Sequence, residues 1–309
     1  MSVTVSDLTK IYGTQRAIDS ISFNIHNGEI VGFLGPNGAG KSTTMKIITG
    51  YIPADEGRVE IDGIPVNDVP VSTKMKVGYL PEANPLYHDM YVKEYLHFIS
   101  NVHNIQHKQQ AIEHVIETVG LRPESGKKIG QLSKGYKQRV GLAAAMIHNP
   151  EVLILDEPTS GLDPNQIQEI REVIKSLGKN KTIMFSTHIL QEVQAMCDRV
   201  IIINKGRIVA DDSVSNLQKR IKGDQAVIIQ FKESVDISLF SHLKEVTGIE
   251  ELNTTNYKLQ TTNPDALRKQ VLQLSLQNNL NIVSLQNESN SLEEIFRTLT
   301  TQTEQRNNN

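Results

Sequence analysis

The most constraining feature of this sequence is the glycine-rich stretch Gly35-Pro36-Asn37-Gly38-Ala39-Gly40-Lys41-Ser42-Thr43. It follows a short apolar run, residues 30–34, with the length and β-branched content of a buried strand. A helical pattern over residues 44–49 comes next and ends at Gly50. Strand, glycine-rich loop and helix are the context in which the G-x-x-x-x-G-K-[ST] pattern predicts a phosphate-binding loop.

The residue types of this loop indicate its chemistry. Glycines allow backbone N–H groups to point toward one centre, and the N-terminus of the following helix adds the positive end of its dipole. Lys41 supplies a positive charge for the β- and γ-phosphates of a nucleotide, and Ser42 supplies a hydroxyl ligand for Mg²⁺. The sequence therefore predicts a nucleoside triphosphate site at residues 35–43.

Composition narrows the class of protein further. The 309 residues give room for about two domains, and 38% hydrophobic with 22% charged residues suits a globular core. A net charge of −3 provides no global basic field for nucleic acid. No apolar run approaches the roughly 20 residues that cross a bilayer, and the N-terminus lacks a signal-peptide pattern. The single cysteine, Cys197, fits a reducing compartment, so we expect a cytoplasmic chain unless a partner holds it at a membrane.

Alternating strand and helix patterns over residues 1–222 predict an α/β domain with a largely parallel, doubly wound sheet. The pattern of predicted strands and helices changes near residue 224. Residues 223–300 have the order β-α-β-β-α-β plus one helix, which predicts a small C-terminal α+β domain resembling the ferredoxin-like arrangement. Its helices are expected over residues 238–246, 264–277 and 292–299. The polar residues 301–309 are expected to be a disordered tail.

Two adjacent carboxylates, Asp156 and Glu157, follow the apolar strand pattern of residues 152–155. The carboxyl end of a strand is where an open parallel sheet places ligand chemistry. Asp156 would hold Mg²⁺ through its water shell, and Glu157 would orient or deprotonate an attacking water. The alternative, two acids that merely begin a loop, is disfavoured by the apolar strand and by the phosphate-binding loop in the same chain.

A phosphate-binding loop does not by itself distinguish kinases, GTPases, helicases and transport ATPases. The stretch Leu132-Ser133-Lys134-Gly135-Tyr136 resembles the Leu-Ser-Gly-Gly-Gln signature of the ATP-binding cassette (ABC) family. Other elements of that family occur in the family's order along residues 2–222. They are Tyr12, residues 35–43, Pro81-Glu82, the signature, Asp156-Glu157, Ser160-Gly161-Leu162-Asp163 and His188.

The resemblance implies the fold of a P-loop NTPase of the ABC type, with a mixed sheet core, an antiparallel β subdomain and a helical subdomain at about residues 86–147. It implies ATP and Mg²⁺ as cofactors. Tyr12 would stack on the base, His188 would contact the γ-phosphate as a catalytic residue beside Glu157, and Glu82 would lie at the nucleotide and the metal.

In this family the signature serves the ATP of a second subunit. The resemblance therefore implies that Ser133 and Gly135 complete a partner's site in a head-to-tail dimer, and that Asp163 links the two sites. The physical chemistry agrees, because a serine hydroxyl, backbone N–H groups and a helix N-terminus suit a triphosphate, whereas one phosphate-binding loop needs no second anion cradle.

This chain departs from the family pattern at two places. Lys134 and Tyr136 stand where glycine and glutamine are common, although Ser133 and Gly135 remain. Glu82 follows Pro81 where glutamine is usual; a carboxylate is tolerable beside Mg²⁺ and would repel a γ-phosphate alone. Glutamate occurs there in a branch that serves two-component exporters. Residues 78–87 and 291–296 are especially similar to the ATPase subunit associated with gliding motility in Bacteroidota.

The resemblance implies an ATP-hydrolysing motor subunit that dimerises and powers an integral-membrane permease subunit, peripheral on the cytoplasmic face of the inner membrane, with no nucleic-acid partner. The alternative is a soluble cassette ATPase acting on ribosomes or DNA. One phosphate-binding loop, no sustained heptads and no basic charge disfavour that alternative. A scaffold that does not hydrolyse ATP conflicts with the presence of Lys41, Asp156, Glu157 and His188.

Overall fold

The computed structural model of the chain describes residues 2–66, 74–217 and 225–288. These residues divide into two compact units, Met1–Val214 and Ser215–Asn309. The domain boundary predicted at residues 222 and 223 lies outside the described residues, as do the helix predicted over 292–299 and the tail predicted at 301–309.

The first unit is built from ten described strands and six described α-helices. The strands are β1 (Val3–Tyr12), β2 (Gln15–Ile25), β3 (Ile30–Leu34), β4 (Glu56–Ile61), β5 (Ile64–Pro65), β6 (Val77–Leu80), β7 (Val152–Asp156), β8 (Thr182–Thr187), β9 (Arg199–Asn204) and β10 (Arg207–Ser213). The helices are α1 (Lys41–Ile48), α2 (Val92–Val102), α3 (Lys108–Thr118), α4 (Lys134–Met146), α5 (Pro164–Gly178) and α6 (Leu190–Met196). No helix within the described residues has the length and apolar content needed to cross a bilayer.

Two sheets organise this unit. The larger has the order β10-β9-β3-β8-β7-β6; its strands run parallel except for β10, which pairs antiparallel with β9. The smaller has the order β2-β1-β4-β5 and is antiparallel throughout. The predicted parallel sheet is therefore present, with an antiparallel sheet beside it.

Strands β3, β7 and β8 are buried along their whole length, as parallel strands covered on both faces must be. Successive residues of β7 belong to two different cores because side chains alternate between the faces of a sheet. Leu153 and Leu155 pack in the core that contains α2, α3 and α4. Val152 and Ile154 pack in the core that contains α1 and the antiparallel sheet. The central strands are therefore fixed from both sides.

The second unit contains a four-stranded antiparallel sheet of order β12-β13-β11-β14. Its elements are β11 (Gln225–Phe231), a 3₁₀-helix (Ile237–His242), β12 (Gly248–Asn253), β13 (Asn256–Thr261), α7 (Pro264–Gln277) and β14 (Ile282–Glu288). Within residues 225–288 the predicted order of the four strands and of the helix over 264–277 is present. The α-helix predicted over 238–246 is wrong: a shorter 3₁₀-helix ends at His242, and the backbone of Leu243 is already extended. Thr247 N–H then donates to Gln260 O, where the chain enters the pairing of β12 with β13.

Each unit has its own hydrophobic core, and every element of the nucleotide-site prediction lies in the first unit. We therefore expect a chain ending at residue 223 to fold and to bind ATP with an affinity within about threefold of the full chain. The measurements are circular dichroism melting and titration with a fluorescent ATP analogue. An insoluble truncated chain would show that the two units depend on one core.

Candidate nucleotide-binding site

The glycine-rich loop joins the buried strand β3 to the N-terminus of α1. Gly38 and Gly40 have φ angles of 77° and 109°, a backbone conformation that suits glycine. Gly40 is the residue just before α1, and no side chain of the described residues caps this helix. The first N–H groups of α1 are therefore left for a ligand at the positive end of the helix dipole.

Gly35 has no room for a side chain. A Cβ placed there would lie 2.4 Å from the backbone O of Ile203, which belongs to β9. On the far side of the loop, Gly206 N–H donates to Ala39 O at 2.9 Å. The loop thus lies directly against β9 and the turn that follows it, which fixes its path between strand and helix.

Lys41 is the cation of the loop. Its Nζ donates to the carbonyl oxygens of Gly35 at 2.9 Å and Pro36 at 3.2 Å. The same atom lies 3.3 Å from Oε1 of Glu157, and the two side chains are only 5% and 8% exposed. The lysine predicted to neutralise phosphate and the predicted general base are therefore held together as a buried ion pair.

Asp156 receives two hydroxyl groups on one oxygen. Its Oδ1 accepts from Ser42 Oγ at 3.1 Å and from Ser186 Oγ at 2.6 Å, and Ser186 Oγ in turn accepts from Glu157 N–H at 2.9 Å. Ser186 was not among the predicted site residues. The available signal was its place near the end of an apolar strand pattern, since β8 pairs with β7 and sets Ser186 opposite Asp156.

The donor set at Ser42 and Asp156 fits Mg²⁺. Both offer hard oxygen atoms, and Mg²⁺ usually takes one or two carboxylates and completes its octahedron with water and substrate phosphates. Within the described residues no group of three or more histidine, cysteine, aspartate or glutamate side chains could hold a metal by itself. The site thus has the incomplete protein shell expected where phosphate oxygens supply the remaining ligands.

Glu157 is held by both of its carboxylate oxygens. While Oε1 faces Lys41, Oε2 lies 2.9 Å from Nδ1 of His188, whose side chain is 45% exposed. Glu157 also has a φ of 49°, a left-handed conformation that costs a residue with a side chain about 1–2 kcal/mol. Backbone strain of this kind is often retained where it aims a functional side chain.

A cleft of about 250 Å³ opens at the loop and brings together residues from four parts of the sequence. Besides the loop residues, it is lined by Glu82 and Glu157. The complete lining is Ala17, Asn37, Gly38, Gly40, Lys41, Ser42, Thr43, Glu82 and Glu157.

The other predicted residues do not line this cleft. Tyr12 is half exposed at the end of β1, with Lys10 Nζ 5.6 Å from its ring centre. Ser133 and Asp163 are exposed residues that cap α4 and α5, where Ser133 Oγ accepts from Tyr136 N–H and Asp163 Oδ1 accepts from Gln166 N–H. The predicted roles of these residues, and of Gly135, remain predictions.

Comparison with known proteins identifies the family. The sequence profile of the ABC transporter family matches residues 18–160. Over 220 residues the chain is 41% identical to the bacitracin transport ATP-binding protein BcrA of Bacillus licheniformis. That alignment covers 71% of this chain and 72% of BcrA. Over 308 residues it is 34% identical to the linearmycin resistance ATP-binding protein LnrL of Bacillus subtilis, and the alignment covers 96% of this chain and 97% of LnrL. The chain belongs to the ABC transporter ATP-binding family.

Solved structures agree with this ABC assignment. A structure described as the ATP binding subunit of an ABC transporter is 29% identical, with a TM-score of 0.64 over 71% of this chain and 93% of that chain. A dimeric post-hydrolysis state of the cassette MJ0796 bound to ADP and Pi is 26% identical, with a TM-score of 0.63 over 69% and 98%. The comparisons confirm the predicted P-loop ABC fold, the family and the prediction of an ATPase, and the ferredoxin-like character of the C-terminal domain stays a prediction.

The close packing of Gly35 gives a test of the loop geometry. Gly35→Ala forces a Cβ against the backbone of β9 and should destabilise the protein by about 2–3 kcal/mol, with weaker ATP binding. Gly38→Ala is the matched control, because a Cβ there meets no atom within 4 Å and only the backbone conformation is strained, at about 1 kcal/mol. Chemical denaturation measures both, and equal losses would contradict the close approach.

Proposed function

We propose that this chain is the motor subunit of an exporter-type ABC transporter, in which two copies close head to tail on two Mg²⁺-ATP and drive a separate integral-membrane permease from the cytoplasmic face of the inner membrane. The observation that carries the proposal is the single connected cluster formed by Lys41, Glu157 and His188 beside Ser42 and Asp156. Such a cluster combines phosphate binding, metal binding and a candidate base at one helix N-terminus.

ATP hydrolysis follows from this geometry. A γ-phosphate at the loop carries more negative charge than a carboxylate and would compete with Glu157 for Lys41. Glu157 would then keep His188 as its partner and accept the proton of the attacking water. Mg²⁺ bound near Ser42 and Asp156 would supply charge neutralisation for the phosphate oxygens. Glu82, which lines the same cleft, would contact the metal or the nucleotide.

Dimerisation is supported by the position of the signature. Ser133 stands at the N-terminus of α4, outside the residues that line the cleft of its own chain. A serine at a helix N-terminus is suited to binding an anion from another molecule. The MJ0796 cassette, which shares this fold, is dimeric in the ADP- and Pi-bound state. In the dimer Ser133 and Gly135 would cover the partner's ATP, Asp163 would connect the two sites and Tyr12 would stack on the base.

A membrane partner is supported by the surface that follows Glu82. Tyr87 is 54% exposed and its ring lies 5.8 Å from that of Phe98, which is 40% exposed. The two rings form an exposed aromatic pair of the kind that marks a protein interface. Asn84, by contrast, donates to Lys137 O and so anchors this segment on α4.

The relatives support transport rather than action on ribosomes or DNA. The names of BcrA and LnrL report bacitracin transport and linearmycin resistance, and LnrL aligns over nearly the whole chain. The narrower role in gliding motility, inferred from residues 78–87 and 291–296, stays a prediction. Affinity purification from solubilised membranes tests the partner: recovery of a permease supports transport, and recovery of ribosomes without a membrane protein supports the alternative.

Glu157→Gln should abolish turnover while leaving ATP binding intact. The substitution removes the base, and the glutamine amide that replaces the carboxylate stays within reach of Lys41 and His188. We expect hydrolysis to fall about 10²–10⁴-fold, with an ATP-stabilised dimer in size-exclusion chromatography. Phosphate release and nucleotide titration measure the two effects. Turnover close to that of the wild type would show that another group is the base.

Mixing two inactive variants tests the shared site. Lys41→Ala should fail to bind ATP, and Ser133→Arg should bind ATP but block closure of the dimer. A heterodimer of the two contains one site with both defects and one site in which Lys41 and Ser133 are intact. Some hydrolysis should therefore return on mixing, if one closed site is sufficient.

Crosslinking gives the matching structural test. Cysteines placed near Ser42 and Ser133, after replacement of Cys197, should form ATP-dependent crosslinks between chains in the Glu157→Gln background. Crosslinks that form only within one chain would exclude the head-to-tail site.

A further inference from the structure

Glu192 is a carboxylate without any exposed surface in the first turn of α6. It lies in the first unit, yet it belongs neither to the cleft nor to the hydrogen bonds that join Lys41, Asp156 and Glu157. Taking a carboxylate fully out of water costs several kcal/mol unless its oxygens are satisfied. Its partners therefore show what this charge is placed to hold.

Both oxygens of Glu192 accept hydrogen bonds from threonine hydroxyls. Thr159 donates to Oε1, and Thr187 donates to Oε2 at 2.6 Å. Arg171 of α5 places a guanidinium nitrogen 3.8 Å from Oε1. Thr187 Oγ also accepts from Ile189 N–H at 3.0 Å, so the turn between β8 and α6 is bound to the same group.

The two threonines belong to the two segments that carry the reacting groups. Thr159 lies in the tight loop after Glu157, where Ser160 N–H donates to Glu157 O and Leu162 N–H donates to Thr159 O. Thr187 is the residue immediately before His188. One buried carboxylate thus ties the loop after β7 to the last residue of β8, and these two segments carry Glu157 and His188, which contact each other.

We propose that Glu192 is a positioning residue for ATP hydrolysis, which holds the Glu157 loop and the His188 loop at a fixed separation. The inference rests on the proposed roles of Glu157 and His188. A carboxylate suits this task because it only accepts hydrogen bonds and can satisfy two hydroxyl donors at once, whereas the amide of a glutamine presents a donor to one of them. Displacements of about 1 Å between reacting groups can reduce turnover about 100-fold.

Substitution of either partner in the contact between Thr159 and Glu192 tests the proposal. Glu192→Gln and Thr159→Val should each lower kcat for ATP at least about tenfold, with KM and nucleotide affinity changed less than about threefold. Thr182→Val is the matched control. Thr182 is as buried as Thr159 and lies at the other end of β8 from Thr187. Its hydroxyl contacts Ser2 and accepts from Gly28 N–H. This control should lower the melting temperature and leave kcat unchanged.

Coupling and rescue distinguish positioning from general destabilisation. The Thr159→Val/Glu192→Gln double variant should have a kcat no lower than the more impaired single variant, since both remove one contact. Thr159→Ser keeps the hydroxyl and should retain turnover near that of the wild type, and it remains informative if Glu192→Gln fails to fold. A folded Thr159→Val variant with unchanged kcat, or additive losses in the double variant, would overturn the proposal.

The Glu157→Gln variant, assayed in parallel, separates this inference from the proposed function. Persistent turnover in Glu157→Gln contradicts the proposed role of Glu157, whatever the other variants do. Loss of turnover in Glu157→Gln combined with unchanged kcat in Glu192→Gln contradicts the positioning role alone.

Discussion

The parallel pairing of β3, β8 and β7 is the constraint on which the rest of the site depends. Leu34 pairs with Thr187, and Asp156 pairs with Ser186. Three segments that are distant in sequence therefore leave the sheet side by side, at the carboxyl ends of these strands. The glycine-rich loop, the two carboxylates and His188 all lie at those carboxyl ends. Because each strand is buried on both faces, a shift of one residue in register would exchange its side chains between the two cores and separate these groups. Hydrophobic packing thus fixes the geometry of a polar site.

Much of this arrangement was predictable because it is encoded by local rules. An apolar strand, a glycine-rich loop and a helix identified residues 35–43, and an apolar strand that ends in Asp156 and Glu157 identified the second ligand segment. Parallel sheets place such strand ends together, so the common cleft followed without any distance information. The order of the family's motifs then indicated the ATPase, which the comparisons confirm.

The remaining features depend on contacts that a single sequence does not encode locally. Ser186 reaches Asp156 only through the register of β8 on β7, and Glu192 meets Thr159 only through the direction in which α6 leaves β8. The ion pair between Lys41 and Glu157 depends on the depth of both side chains in the cleft. In the second unit, an α-helix was predicted over residues 238–246, but the backbone is extended from Leu243 and only a short 3₁₀-helix forms.

The buried charges of the first unit explain why these contacts form one system. Lys41, Asp156, Glu157 and Glu192 are all nearly inaccessible to water, and each would be strongly destabilising without partners. Their partners come from different strands and loops: Ser42 and Ser186 for Asp156, Lys41 and His188 for Glu157, and Thr159 and Thr187 for Glu192. The contacts that compensate the buried charges are therefore the same contacts that align the groups around the cleft. Loss of one partner leaves a charge unsatisfied and releases the loop that carried it, so electrostatic compensation and alignment of the site are coupled.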